Sequence, residues 1–343
     1  IAQWGGIEKL IVAKELVKEY KIYQHRRGFF GAVRNMFSTS HTIVRAVDQI
    51  SFRIAAGELV GYLGPNGAGK STTIKMLTGI LVPTSGELTI GGIVPWRERV
   101  KHARRMGVVF GQRTTLWWDL PVIETMDLLR TIYKIPQQQY RRNLEMFTDL
   151  LGLSEFLNTP VRSLSLGQRM RADLAAAFLH DPEIVFLDEP TIGLDVLAKE
   201  RIRQFIATIN CEKKTTVILT THDLGDVAKL CRRVMMIDHG KVLFDGALAE
   251  LVSRFGGERR LVVDFAEEYD DQSIAGARII AKEGRKVTYA FHSNGNGVAP
   301  LIEDLSRKYK WADISLQDPD VETTIRRIYE QWESDHSATR LPC

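Results

Sequence analysis

Gly64-Pro65-Asn66-Gly67-Ala68-Gly69-Lys70-Ser71-Thr72 carries the spacing G-x-x-x-x-G-K-[ST]. Small residues in that pattern let consecutive backbone N–H groups turn inward at phosphate oxygens, and a helix starting there adds its positive end. Lys70 brings a mobile positive charge, and Ser71 a hydroxyl suited to Mg2+. A bare glycine-rich turn does not account for the full match between a strand-like and a helix-like segment. The run predicts binding of a nucleoside triphosphate. A second constellation, Asp188-Glu189, ends the apolar run Ile184-Val185-Phe186-Leu187. Paired acids at a strand end can be an N-cap. Beside a phosphate loop they suit metal and base work, with Asp188 on Mg2+ and Glu189 reaching a water in line with the γ-phosphate.

Such groups need rigid carriers. Leu59–Leu63, residues 184–187 and Thr216–Thr220 are short apolar runs closed by polar or glycine signals, and helical patterns separate them. That alternation predicts an α/β fold with a mostly parallel sheet, and the phosphate loop within it is what a P-loop NTPase core carries. Residues 113–179 read as an inserted helical subdomain, with Met126, Leu129, Ile132 and Tyr133 as an apolar stripe and a stop at Pro136. A helix after Gly167 places Met170, Leu174 and Phe178 on one stripe and ends at His180-Asp181-Pro182. Beyond Phe255-Gly256-Gly257-Glu258 the style changes. Strands at 260–265, 278–281, 286–291 and 313–316 and helices at 298–309 and 321–333 predict a small α+β domain hinged at the glycine pair. The expected division is 7–254 and 255–343.

With 343 residues and 44% apolar content, the chain has ample material for a buried core. No run approaches the ~18 to 20 apolar residues of a membrane span, and no basic-then-apolar leader opens the sequence. Any membrane role is therefore expected through a partner. Residues 1–6 lack an initiator methionine and read as a processed or appended end. Cys211, Cys231 and Cys343 are far apart and odd in number, which suits reduced thiols. Of eight histidines only His222 falls where chemistry is expected, so no transition-metal site is predicted. A net charge of +4 without an aromatic-basic platform argues against nucleic acid.

Over about residues 11–251 the chain resembles the ATPase subunit of an ABC transporter. The ordered carriers are the phosphate loop, Gln112 (Q-loop), Leu164-Ser165-Leu166-Gly167-Gln168 (signature), Asp188-Glu189, Asp195 in Gly193-Leu194-Asp195 (D-loop), His222 in Thr220-Thr221-His222-Asp223 (switch) and Tyr20 (adenine stacking). The resemblance implies ATP and Mg2+, with residues 64–72 and Tyr20 on nucleotide, and Ser71, Gln112 and Asp188 at the metal. It also implies Glu189, His222 and Gln112 in catalysis. Ser165, Gly167, Gln168 and Asp195 would meet the nucleotide held by another subunit, either a second copy or a homologous ATPase, in a head-to-tail dimer. Tyr23 competes with Tyr20 for the adenine. Leu166 departs from the glycine usual in the family, which adds bulk at the dimer seam.

The resemblance also implies membrane-spanning permease subunits, with this chain peripheral on the cytoplasmic face of the inner membrane. Trp117 and Trp118 follow Gln112 in a loop and suit either a docking cleft for a permease helix or packing within the helical subdomain. A segment at about 24–43, with Phe29, Phe30, Val33 and Phe37 flanked by arginines, suits a membrane-side amphipathic helix or a helix capping the sheet. These features and the C-terminal domain resemble bacterial exporters of drugs, antibiotics and viologen-like cations. An importer ATPase or a soluble non-transport ABC ATPase are the alternatives. The soluble proteins would carry two cassettes or a long coiled-coil arm, and the sequence has one phosphate loop and no room for such an arm between Thr72 and Leu164.

Overall fold

Strands that hide one face and strands that hide both build different sheets here. The computed structural model describes residues 9–23, 41–111, 113–221, 223–255, 258–291, 298–317 and 321–337. The long strands β1 (Lys9–Tyr23) and β2 (His41–Ala55) pair antiparallel, and β4 (Ser85–Ile90) joins the other side of β1. Buried residues gather on one side, as in Val47, Ile50, Phe52 and Ile54 of β2 and Leu88 and Ile90 of β4, so one face joins the core. β3 (Leu59–Leu63), β5 (Met106–Phe110), β6 (Ile184–Asp188), β7 (Thr216–Thr220), β8 (Arg233–Asp238) and β9 (Lys241–Ala247) form the second sheet in the order β5-β6-β7-β3-β8-β9. The first five are parallel. Ile184, Val185, Phe186 and Leu187 are all buried, as a strand covered on both faces requires.

Helices supply that cover. α1 (Lys70–Leu77) leaves the phosphate loop, and α2 (Arg99–Ala103) precedes β5. Between β5 and β6 come α3 (Val122–Tyr133), α4 (Gln137–Leu151) and α5 (Leu166–Phe178). α6 (Val196–Lys213) links β6 to β7, and α7 (Leu224–Leu230) links β7 to β8. One apolar cluster joins Ile11, Leu16, Val47 and Phe52 of the antiparallel sheet to Ile74 and Met76 of α1 and to Phe186 and Ile218 of the parallel sheet. α4, α5 and α6 meet through Phe147, Phe178 and Phe205, whose rings sit edge to face at 5.3 and 5.2 Å.

The predicted stripe on α3 needs one correction. Ile132 is 55% exposed, whereas Val122 and Met126 are buried. With the helix starting at Val122, steps of four, three and four bring Val122, Met126, Leu129 and Tyr133 onto one line, and Ile132 falls about a quarter turn away.

The parallel register sets up the site. Phe110 pairs with Asp188, Asp188 with Thr220, and Thr220 with Tyr62. Four strands thus end in one row, and the loops that follow emerge along one edge, where ligands of open α/β sheets bind. Gln112 and His222 lie outside the described residues, directly after Gly111 and Thr221.

Contacts divide the chain between Gly246 and Ala247. The second unit opens with α8 (Leu248–Phe255). β10 (Arg259–Phe265), β11 (Arg278–Glu283), β12 (Lys286–Phe291) and β13 (Trp311–Gln317) then form an antiparallel sheet in the order β11-β12-β10-β13. Leu261, Val263, Phe265, Val287, Tyr289 and Phe291 share a core with Leu301 and Leu305 of α9 (Ala299–Lys308). α10 (Val321–Ser337) packs with α8. Most of the 24–43 segment, and the Gly256-Gly257 pair, lie outside the described residues. Among the described residues no helix is long and apolar enough to cross a membrane.

Candidate nucleotide site

The chain from β3 to α1 is shaped by backbone that side chains cannot share. Gly69 sits at φ +105°, and a Cβ there would stand 2.4 Å from the Ala46 carbonyl oxygen. A Cβ on Gly64 would stand 2.5 Å from that of Ile237. The loop is braced from both sides: the Ala68 N–H donates to Pro65 O at 3.2 Å, Gly240 N–H to Ala68 O at 3.0 Å, and Asp48 N–H to Gly240 O at 2.8 Å. Gly69, the N-cap of α1, provides no side-chain cap, and no acid occupies the first turn. The helix start is therefore left for an external anion.

Lys70 is buried, and its ammonium donates to the carbonyls of Gly64 and Pro65, the latter at 3.0 Å. Burial lowers its proton affinity, and the carboxylates of Glu189 and Asp188 oppose that effect, which puts both acids within electrostatic reach of the amine. Ser71 is exposed at the head of α1. Thr73, two residues on, is turned inward, donating to Gly69 O at 3.1 Å and accepting from the Tyr62 hydroxyl at 3.2 Å.

The β6 end is held by its neighbours. The Thr220 hydroxyl donates to Asp188 Oδ1, Gly111 N–H to Asp188 O at 2.7 Å, and Glu189 N–H to Thr220 O at 2.9 Å. Glu189 itself sits at φ +54°, left-handed backbone that costs an L-residue about 1 to 2 kcal/mol. Strain of this kind persists where surrounding structure imposes it. From the sequence, Thr220 reads only as a strand end and as the setting of His222, not as the residue that holds Asp188.

Tyr20 is partly exposed on β1, paired with Val44 of β2, and Ile22 lies one step along the same face. Together they make an apolar platform beyond the single ring. The Lys18 ammonium lies 5.4 Å from the Tyr20 centroid. Nothing is described for the Tyr23 side chain. Val44 and Ile22 follow only from the strand register, which the sequence did not specify.

Ser165 is the N-cap of α5. Its N–H donates to Gln168 Oε1 at 2.9 Å, and the Gln168 N–H donates back to Ser165 Oγ at 3.2 Å, a reciprocal capping box. The Gln168 side chain is thus committed to the cap, and the Ser165 hydroxyl proton remains for an acceptor beyond the helix. A Cβ on Gly167 would meet only ordinary contacts with Ala198 and Leu194, so packing within the chain does not demand glycine there. Leu166 is exposed and reaches toward Gly193. Asp195 caps α6, accepting from Ala198 N–H at 2.8 Å, and the next residues, Val196 and Leu197, are each 77% exposed.

The two tryptophans are not packed away. Trp117 is 41% and Trp118 49% exposed, while Leu116 beside them is buried. Their loop is pinned to α5. Asp173 Oδ1 accepts from the Thr115 N–H at 2.8 Å and its hydroxyl at 3.0 Å, and the Arg169 guanidinium lies 5.4 Å from the Trp118 ring. Burial holds the Asp173 carboxyl above its usual range.

Comparison with known proteins agrees with this geometry. A family model described as ABC transporter matches residues 47–192. The chain is similar to the ABC transporter ATP-binding protein NatA of Bacillus subtilis, 34% identical over 215 residues, 63% of this chain and 87% of NatA. It is 35% identical to the linearmycin resistance ATP-binding protein LnrL of the same organism over 217 residues, 63% of this chain and 68% of LnrL. The methionine import ATP-binding protein MetN 2 of Enterococcus faecalis is 27% identical over 303 residues, 85% of this chain and 86% of that protein. Among solved structures, a dimeric ATP-binding cassette in a post-hydrolysis state with ADP and Pi superposes with a TM-score of 0.57 at 26% identity, covering 69% of this chain and 98% of the other. A braced phosphate loop, two acids at the end of the neighbouring strand row and relatives of this similarity lead to one conclusion: the chain belongs to the ABC transporter ATP-binding proteins and is an ATP hydrolase.

Proposed function

We propose that this chain powers a membrane exporter by closing on two ATP molecules, head to tail with a second copy or a homologous subunit, and hydrolysing them. The observation that carries the reading is the strand row that brings Asp188 and Glu189 beside the Lys70 loop. Lys70 and the open start of α1 grip the β- and γ-phosphates. Ser71 and Asp188, with Gln112, would hold Mg2+, and the fit is sound: an exposed hydroxyl at a helix start and a carboxylate oriented by Thr220 suit an ion that takes few protein ligands. When bound, that ion neutralises developing phosphate charge. Glu189 takes a proton from a water in line with the γ-phosphate, and His222 donates a hydrogen bond to the γ-phosphate that is lost on cleavage. Tyr20 stacks on adenine.

From the opposing subunit, the Ser165 hydroxyl and the Gly167 N–H complete the γ-phosphate shell. Gln168 and Asp195 act there through the helix tips they cap. The closed dimer binds ATP better than the open one, and this difference is the driving force. Trp117 and Trp118 offer aromatic anchors to a permease, and Asp173 ties that loop to the helix that carries Ser165. Such a subunit sits peripherally on the cytoplasmic face of the membrane. Export is favoured by the resistance protein among the relatives. We assign the ATPase to residues 7–254, and dimer support or regulation to 255–343.

Replacing Glu189 by Gln is expected to slow turnover by ~10² to 10⁴ while ATP binding persists. Normal turnover would exclude Glu189 as the base. A second reading, import, is favoured by the relative named for methionine import, whose match extends over 85% of this chain. Transport assayed with the co-purified permease in inside-out vesicles separates the two, since an exporter accumulates substrate in the lumen.

A further inference from the structure

Two proposed site positions, Glu189 and Asp195, flank a loop tied to one buried anchor. Thr191 is buried within that loop, and His222 directly precedes Asp223, the N-cap of α7. Asp226, in the first turn of α7, is wholly buried. Its Oδ2 accepts from the Thr191 hydroxyl, and its Oδ1 accepts from Arg203 Nη1 at 2.7 Å. Arg203 lies on α6, the helix that Asp195 caps, and also pairs with Glu200 at 3.0 Å. Asp223 accepts from Lys199 of α6 and from the Gly225 N–H at 3.0 Å. Two carboxylates at the start of α7 therefore grip α6, and one of them also holds the Glu189 loop.

A buried ion pair is poor evidence for stability, because apolar residues of similar volume often serve as well. What it provides is direction. Both Asp226 oxygens are engaged by charge-assisted or hydroxyl donors, which fix distance and angle where apolar packing would leave slack. The loop it holds needs fixing, since Glu189 sits on left-handed backbone two residues before Thr191.

We infer that Thr191 and Asp226 are positioning residues for hydrolysis, holding the Glu189 loop in one frame with α6 and the start of α7. The inference rests on the role proposed above for Glu189. Thr191→Val keeps the volume and removes only the hydroxyl. In the full-length protein it is expected to lower kcat about 10-fold or more, as misplacement of a reacting group by a fraction of an ångström does, with the ATP dissociation constant within about twofold of the parent. Thr191→Ser, which restores the hydroxyl, is expected to recover most of the turnover. A merely structural role would lower the unfolding midpoint and the binding-competent fraction together, leaving turnover per bound ATP unchanged. A Thr191→Val enzyme whose kcat stays within about twofold of the parent overturns the inference. Glu189→Gln in the same assay separates the two failures. If that variant still turns over, the site reading itself falls; if it is dead while Thr191→Val is normal, only the positioning role is lost.

Discussion

The two helix starts assigned to the γ-phosphate are built in opposite ways. α1 begins on left-handed Gly69 with no side-chain cap, and the Lys70 ammonium is folded over its loop. α5 begins with a closed capping box in which Ser165 and Gln168 satisfy each other's N–H groups. The first is open to an anion on its own, because no side chain of the described residues caps its backbone donors. The second has consumed part of its donor set and keeps the hydroxyl proton of Ser165 and the N–H groups of Leu166 and Gly167. The contrast assigns affinity to one chain and turnover to two. An uncapped tip attracts ATP without help, and a capped tip adds only what a precisely docked partner can deliver.

The strongest way to break this comparison is to disable each tip separately and then mix. Lys70→Met is expected to cut phosphate release ~10²- to 10³-fold and to weaken ATP binding. Ser165→Ala should impair turnover but leave equilibrium ATP binding near the parent value. Mixed dimers of the two variants keep one intact composite site, so activity should reappear when two impaired preparations are combined. Failure of any recovery would mean that the two tips do not meet across a dimer.

Next in size is a pair of glycines in the uncapped loop. Gly69→Ala forces a Cβ against Ala46 O, and should lower unfolding stability by about 3 kcal/mol in a urea titration. Gly67→Ala, at φ +84° with nothing within 4 Å of its Cβ, should cost about 1 kcal/mol.

The far end of α5 gives a pH test. His180 packs its ring on Tyr133 with centroids 4.0 Å apart, and Nε2 donates to Met106 O at 3.1 Å. Burial pulls its pKa down to about 4 from an ordinary 6.5. The unfolded chain therefore binds the extra proton first. Stability from this group is complete above pH 6.5 and is lost as pH falls toward 4, by at most about 3 kcal/mol. Thermal unfolding across that window should show a shallower slope in His180→Phe. An identical slope would remove His180 from the acid response. Smallest is the cap itself: Ser165→Ala should cost about 1 kcal/mol of stability, measured separately from its effect on turnover.

What could be read in advance divides by how local the information is. The phosphate loop was legible because its chemistry sits in consecutive residues, and β3, β6 and β7 because a strand buried on both faces must be uniformly apolar. Ile132 misled because an apolar residue on an amphipathic helix counts toward a stripe only once the starting phase is known. Thr191, Asp226 and Arg203 stayed hidden for another reason. Thr191 lies 35 positions from Asp226, and Arg203 lies 23 from it, on three different elements, and each alone reads as an ordinary loop or helix residue. The half-exposed setting of Trp117 and Trp118 likewise depended on Asp173, a helix residue 58 positions from the Thr115 that it holds.

The left-handed backbone at Glu189 has a consequence for laboratory evolution. Glycine occupies that conformation without penalty, so Glu189→Gly relaxes the main chain while deleting the carboxylate. Selection for heat tolerance alone would push this position toward glycine, and on the role proposed for Glu189 the winners would be sturdy proteins that hold nucleotide and turn it over slowly.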